Sequence, residues 1–248
     1  MFIDTHCHLS IEDYDDIDKV VKEDIEAGVK KLIVSACTKN TFEEALALAK
    51  KYDSIYVTLG FHPSEVDTTD ADLELLKELL KTDKVVGVGE IGLDYHYGKD
   101  DIDIQKELFE KQLIMAENLN LPVVIHSRDA VNDTIETLKK HNVKGVIHCF
   151  SGSVETADIY IRLGYKLGIG GVVTFKNSNL YKVVEHVGLD NIVLETDSPY
   201  LAPEPFRGKQ NSSKYIPVIA TKIADILNVS LSEVEDKTTM TASNLFDL

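Results

Sequence analysis

The sequence predicts an α/β chain folded as one (β/α)8 barrel carrying an additional C-terminal helix. Strand-like apolar runs alternate with amphipathic helical segments eight times within 248 residues, the usual span of such a barrel. Residues of metal-ligand type close the first, fourth, fifth, sixth and eighth of those runs. Parallel strands joined by helices require right-handed crossovers. An open doubly wound sheet is the competing arrangement, but it normally shows a Gly-rich phosphate loop after its first strand, where this chain has His6-Cys7-His8.

The first repeat pairs a strand over Phe2 to Leu9 with a helix over Ile17 to Ala27, whose Ile17, Val20, Val21 and Ile25 recur at helical spacing before Gly28 stops it. Lys31 to Ala36 and Phe42 to Lys51 form the second repeat, Ile55 to Leu59 and Ala71 to Leu80 the third. Val85 to Glu90 is the fourth strand, leading through Ile91-Gly92-Leu93-Asp94-Tyr95 to a long helix from Ile102 to Asn118. Pro122 to Ser127 with Val131 to Lys140, then Gly145 to Phe150 with Val154 to Leu163, give the fifth and sixth. Tyr165 to Val173 with Leu180 to Val187, then Asn191 to Glu195 with Ile216 to Leu227, complete the eight. Leu231 to Leu245 is surplus and forms the extra helix.

No linker, low-complexity tract or break in composition divides the chain, so residues 1–248 are expected to be a single domain. The chain lacks both an apolar stretch near the length of a membrane helix and a basic-then-apolar leader, which points to a cytoplasmic protein with no membrane partner. Cys7, Cys37 and Cys149 lie in apolar runs without Cys-x-x-Cys spacing and are expected to be small buried side chains. A net charge of −16 excludes a broad basic surface that coats nucleic acid, but not a local phosphate site, because bound divalent cations invert the local potential.

His6, His8, Glu90, His126, His148 and Asp197 are the candidate metal ligands. Side chains alternate along a strand, so His6 and His8 share one face and Cys7 takes the other. In a barrel the carboxyl ends of the strands gather at one mouth, which brings the six together. Without metal they would be costly buried polar groups. A carboxylate can bridge two ions, which neutral imidazole cannot. Glu90 is therefore the natural bridge, with His6, His8 and Asp197 on one ion and His126 and His148 on the other. Such donors suit Zn²⁺, Mn²⁺ or Fe²⁺, with Mg²⁺ possible where water and phosphate oxygens complete the shell. Paired ions activate water and steady both attacking and leaving oxygens in a displacement, and Asp197 can accept the water's proton, making Asp197 and Glu90 the catalytic candidates.

The strings Asp4-Thr5-His6-Cys7-His8, Gly60-Phe61-His62-Pro63, Gly89-Glu90-Ile91-Gly92-Leu93-Asp94-Tyr95, Ile125-His126-Ser127-Arg128, His148-Cys149-Phe150-Ser151-Gly152 and Glu195 to Pro203 resemble the TatD family of metal-dependent deoxyribonucleases. The resemblance spans nearly the whole chain. It implies a TIM barrel of the amidohydrolase-like kind, two divalent ions on the six residues above, and hydrolysis of DNA phosphodiesters, commonly as a 3′ to 5′ exonuclease. The expected substrate is thus DNA, single-stranded or with a free 3′ end. Arg207-Gly208-Lys209 matches the family's basic segment after the eighth strand, whereas Gln210-Asn211-Ser212-Ser213 departs from its more usual Arg-Asn-Glu-Pro continuation, which bears on substrate preference. The same cluster also suits other ester or amide substrates, such as a D-aminoacyl-tRNA, and a barrel whose metals only stabilise an interaction surface is a third reading.

His62, Arg128 and Arg207 are the candidate substrate-binding residues. His62 sits at the end of the third strand, where it contacts a phosphate oxygen or merely caps the loop at Pro63. Arg128 either reaches a phosphate or pairs with Asp129. Arg207 lies in a Pro/Gly-bounded loop where a forked guanidinium suits phosphate oxygens. Tyr95, Tyr97 and Phe175 can stack on bases or pack loops. His96, His141 and His186 have no converging partners, and the acidic run Glu12 to Asp16 is expected to be a solvated loop and helix start.

Overall fold

The computed structural model describes residues 1–98 and 100–248. Eight parallel strands follow one another in sequence order around a barrel. They are β1 (Phe2–Cys7), β2 (Val29–Ala36), β3 (Ile55–Leu59), β4 (Val85–Asp94), β5 (Val123–Arg128), β6 (Gly145–Ile147), β7 (Tyr165–Ile169) and β8 (Ile192–Leu194). The outer helices are α1 (Ile17–Glu26), α2 (Lys39–Lys51), α3 (Asp70–Leu79), α4 (Ile102–Leu119), α5 (Val131–Leu138), α6 (Val154–Arg162), α7 (Leu180–Val187) and α8 (Ile216–Leu227), followed by the surplus helix α9 (Leu231–Phe246). No described helix is long and apolar enough to cross a membrane.

Caps set the helix starts. Asp16 accepts the Lys19 N–H at α1, Thr69 and Asp72 form a reciprocal capping box at α3, and Ser153 and Ser230 cap α6 and α9. At their C-terminal ends, α4 and α8 stop on Asn120 and Asn228 in the left-handed conformation, which Asn tolerates better than most residues.

Alternation along the strands explains how the site is seated. Ile33, Val124, Val146 and Val193 form an apolar layer inside the barrel, closed from below by Ala242 and Phe246 of α9. Two residues further along the same faces stand Ser35, His126, His148 and Glu195. The outward residues of the strands join the larger core beneath the helices.

Several strand ends differ from the sequence expectation. β4 continues four residues past Glu90 to Asp94, because Ile91 and Leu93 remain buried and Gly92 to Asp94 pair with His126 to Arg128 of β5. β6 stops at Ile147, three residues early, as Cys149 turns to φ +46°. β7 ends at Ile169, and Gly171 to Thr174 form a 3₁₀ turn that passes so close to Leu201 that a side chain on Gly171 would lie 2.3 Å from its carbonyl oxygen.

Backbone ladders join β1 round to β8. Side chains and the segment after β8 close the remaining seam. Thr5 Oγ1 donates to the Leu194 carbonyl at 3.0 Å, and Asp4 accepts from Thr196 N–H at 3.1 Å and Thr196 Oγ1 at 2.6 Å. Asp197 N–H then donates to the His6 carbonyl at 3.0 Å, which ties one candidate ligand to another.

Candidate metal centre

The six candidate ligands meet at the carboxyl ends of the strands. His6 Nε2 and His8 Nε2 lie 3.3 Å apart, and Asp197 Oδ1 is 3.5 Å from each. Cys7, between the two histidines, points into the outer core with its thiol on the Ile33 carbonyl, as strand alternation requires. Asp197 reaches its place at φ +55°, a conformation that Asp adopts more readily than most residues.

Glu90 stands between two sets of nitrogens. Its Oε2 faces His6 Nε2 at 3.6 Å and His8 Nε2 at 3.9 Å, while Oε1 faces His126 Nδ1 at 2.6 Å and His148 Nε2 at 3.1 Å. Donor atoms of His6, His8 and Glu90, of His6, His148 and Asp197, and of Glu90, His126 and His148 each gather within 4.8 Å of one another, spacing that suits a cation.

Each imidazole also has a neighbour facing its far nitrogen; Asp94 and Glu195 lie within the motif strings but were not singled out there, and Ser35 carried no signal. The Ser35 carbonyl faces His8 Nδ1 at 3.1 Å, and the Ser35 hydroxyl meets His6 Nδ1 at 3.0 Å. Asp94 Oδ2 lies 3.1 Å from His126 Nε2, and Glu195 Oε1 lies 3.4 Å from His148 Nδ1. The Ser35 carbonyl and the Asp94 carboxylate fix the proton on the far nitrogens of His8 and His126, so their near nitrogens present lone pairs to the centre, while Glu195 faces His148 Nδ1 outside hydrogen-bond geometry. The donor set therefore fits divalent metal. Asp94 is itself held by Gln105 of α4, whose amide pairs with both the N–H and the carbonyl of Asp94, and Gln112 does the same for Phe61 beside His62.

Burial pushes the Glu90 carboxyl upward, but His148 and His126 outweigh it and hold it well below the usual range. Asp197 follows the same pattern, with His6 and His8 overcoming burial. Both carboxylates are thus ionised at neutral pH. Burial, helped by His148, lowers His6. For His148 burial acts in the same sense, but Glu90 and Glu195 reverse it and raise the ring well above its ordinary value, while Asp94 and Glu90 raise His126 against burial.

Above the cluster lies a cavity of ≈ 710 Å³ that His62 and Arg128 both line. His62 Nδ1 accepts from the Ser64 N–H at 3.1 Å, and burial brings the ring down to about 4. It is a neutral imidazole with its proton on Nε2, stacked edge-on 4.6 Å from the His126 ring. Arg128, on the same face of β5 as His126, leans over exposed Tyr97 with its guanidinium 5.4 Å from the ring centre, and Asp129 pairs with His96 instead. Arg207 stacks on Phe175 at 3.9 Å, away from the residues lining the cavity. Tyr95 donates to Asp133 as a packing residue. His141 and His186 pair with Glu117 and Asp158 on the outside of the barrel.

Two expectations change. Cys37 is not simply a core residue, since its thiol lies 3.6 Å from Glu90 Oε2 and lines the cavity. Nor is the run Glu12 to Asp16 wholly solvated, because Tyr14 is buried with its hydroxyl on the Asn211 carbonyl and Glu12 and Asp13 reach the cavity wall. The unusual Asn211-Ser212 is a support for the segment after β8. Asn211 Nδ2 donates to the Thr196 and Tyr200 carbonyls at 2.8 and 2.6 Å, and Ser212 Oγ donates to buried Asp24 at 2.9 Å.

Residues 3–247 match the family model described as TatD related DNase. The chain is 40% identical over 252 residues to an uncharacterized metal-dependent hydrolase, YabD, of Bacillus subtilis, covering 99% of both chains. It is 35% identical over 254 residues to another, YcfH, of Escherichia coli, covering 99% of this chain and 96% of that one. The crystal structure of YjjV, a TatD homologue from Escherichia coli, superposes with a TM-score of 0.92 at 33% identity, covering 100% of this chain and 98% of the other. The chain belongs to the TatD family of metal-dependent hydrolases.

Proposed function

We propose that this protein is a deoxyribonuclease that hydrolyses phosphodiester bonds of single-stranded or 3′-ended DNA, working from the 3′ end with two divalent ions, Mg²⁺, Mn²⁺ or Zn²⁺. The observation that carries this reading is Glu90, whose two oxygens face separate sets of imidazoles. His6, His8 and Asp197 would hold one ion, His126 and His148 the other, with Glu90 shared. When bound, such ions make water a stronger acid and offset charge on the attacking and leaving oxygens.

The protein's own groups supply the rest. Asp197, ionised and pointing Oδ1 between His6 and His8, accepts the proton of the attacking water. His62 offers a neutral Nε2–H donor at the cavity wall, suited to a phosphoryl oxygen. Arg128 supplies a cation at the rim, and Arg207 a second one on the segment after β8. The family model's description as a DNase supports the choice of substrate.

The test is a 5′-labelled single strand incubated with metal-replete protein. A ladder shortening from the 3′ end, abolished by chelation and restored by added metal, is the expected result. Equal cleavage of a covalently closed single-stranded circle overturns the exonuclease direction. No cleavage of either, with ions bound, overturns the DNase reading in favour of another ester or amide.

A further inference from the structure

Beyond the candidate ligands and Asp94, the rim of the metal cavity carries acids on one side and an arginine on another. Glu12 and Asp13 come from the loop after β1, and Glu44 from α2, which follows β2. Arg128 ends β5, and Tyr97 and His62 follow β4 and β3. In a barrel of eight strands in sequence order, β1 and β5 lie diametrically opposed, so the acids and the arginine face each other across the centre. Asp13 accepts from Ser10 Oγ and Glu44 from the Ile11 N–H, each at 2.8 Å and neither from a base, and Arg128 donates to the Tyr97 hydroxyl at 3.4 Å rather than to an acid. Arg128 instead lies over Tyr97, whose ring is 86% exposed. An exposed aromatic face beside a guanidinium that carries no carboxylate partner among the described residues is a pairing that can receive a nucleobase and its phosphate.

Resting on the nuclease reading above, we propose that the cleft reads the end of the strand. The Arg128 and Tyr97 wall takes the continuing polymer, and the Glu12, Asp13 and Glu44 wall takes a terminal nucleotide that ends in an uncharged hydroxyl. Each further phosphate on the polymer side meets a cation and a stacking surface. A phosphate on the terminal nucleotide would instead bring a dianion against carboxylates at the cavity rim, a like-charge contact weakened as salt rises. The acidic wall is thus a device of exclusion, and the substrate class is a hydroxyl-ended oligonucleotide.

The test compares strands of one sequence ending in a 3′-hydroxyl or a 3′-phosphate, with metal-loaded protein whose ion content is measured alongside. Wild type should shorten the phosphate-ended strand more slowly by about tenfold or more, the scale of one like-charge contact, and the gap should narrow as ionic strength rises. Glu12→Gln combined with Glu44→Gln should close most of that gap at unchanged metal content, since a glutamine at 44 can still accept the Ile11 N–H that Glu44 holds at 2.8 Å. Arg128→Ala and Tyr97→Ala should each raise KM for the hydroxyl-ended oligonucleotide by more than they lower kcat. Equal rates on both ends, release of inorganic phosphate before shortening, or a gap indifferent to the glutamine pair each overturns the inference while leaving the nuclease standing. Failure to shorten the hydroxyl-ended strand removes the nuclease reading and this one with it.

Discussion

Replacing Glu90 by Ala should separate the two halves of the centre. Removal of its carboxylate leaves His6, His8 and Asp197 together, with Asp197 Oδ1 3.5 Å from both imidazole nitrogens, so that half keeps three donors, one of them anionic. The other half is left with His126 Nδ1 and His148 Nε2 alone, because Glu90 Oε1, at 2.6 and 3.1 Å, is the carboxylate oxygen between them. Asp94 and Glu195 face the far nitrogens and cannot replace it. Losing an outer partner of a ligand typically weakens metal binding by about 10- to 100-fold, so losing a direct donor should exceed about 100-fold at that half, or about 2.7 kcal/mol. Elemental analysis after dialysis against buffered metal should therefore find about two ions in wild type and about one in Glu90→Ala, with turnover reduced by more than the loss of an outer partner would cause. Glu90→Gln, which retains one carbonyl oxygen, should fall between. Normal content with normal turnover refutes the bridging assignment, and equal loss from both halves refutes the division of ligands.

Asp94→Asn and Glu195→Gln should each lower ion retention in the half that contains His126 and His148, by about 10- to 100-fold, because an amide no longer fixes the ring proton as a carboxylate does; unchanged titrations show that these carboxylates do not orient the rings. Ion retention should also rise with pH. His148 and His126 titrate above the ordinary imidazole value, each must be neutral to act as a donor, and below its raised pKa each holds a proton that a cation has to displace. Affinity that stays flat over about pH 5 to 8 contradicts this. Arg207→Lys should leave metal content intact and weaken DNA binding by less than about tenfold, since a point charge loses the planar stack on Phe175; loss of metal in that variant means the residue supports the centre instead.

The six candidate ligands were legible because each closes an apolar run, and in a parallel barrel the ends of such runs converge. Their outer partners were not. Ser35 lies inside β2 among apolar neighbours, and nothing in its spacing says that its hydroxyl and carbonyl serve two different histidines. Asp94 and Glu195 stand in the motif strings, but the role of Asp94 was hidden by the expectation that β4 stops at Glu90, and Glu195 looked like one more polar residue before Asp197. Strand ends were misjudged where geometry, not composition, decides. Cys149 is apolar enough to prolong β6, yet its positive φ turns the chain, and Gly171 is forced into a turn by close contact with Leu201. Arg207 matched a basic segment whose loop path depends on long-range contacts through Asn211, which a local pattern does not encode.

The seam between β1 and β8 bears on the order in which the chain acquires its chemistry. Asp4 and Thr196 are 192 residues apart, and their bonds form only when the two ends of the barrel meet. Contacts so distant in sequence carry a large loop-closure cost and come late unless other strands have already brought the ends together. Asp197 is held to His6 across that same seam, so its carboxylate joins the centre only at closure. A nascent or nicked chain lacking β8 would carry five of the six donors and still be unable to complete the half containing His6 and His8. Assembly of all six candidate donors is therefore coupled to completion of the barrel.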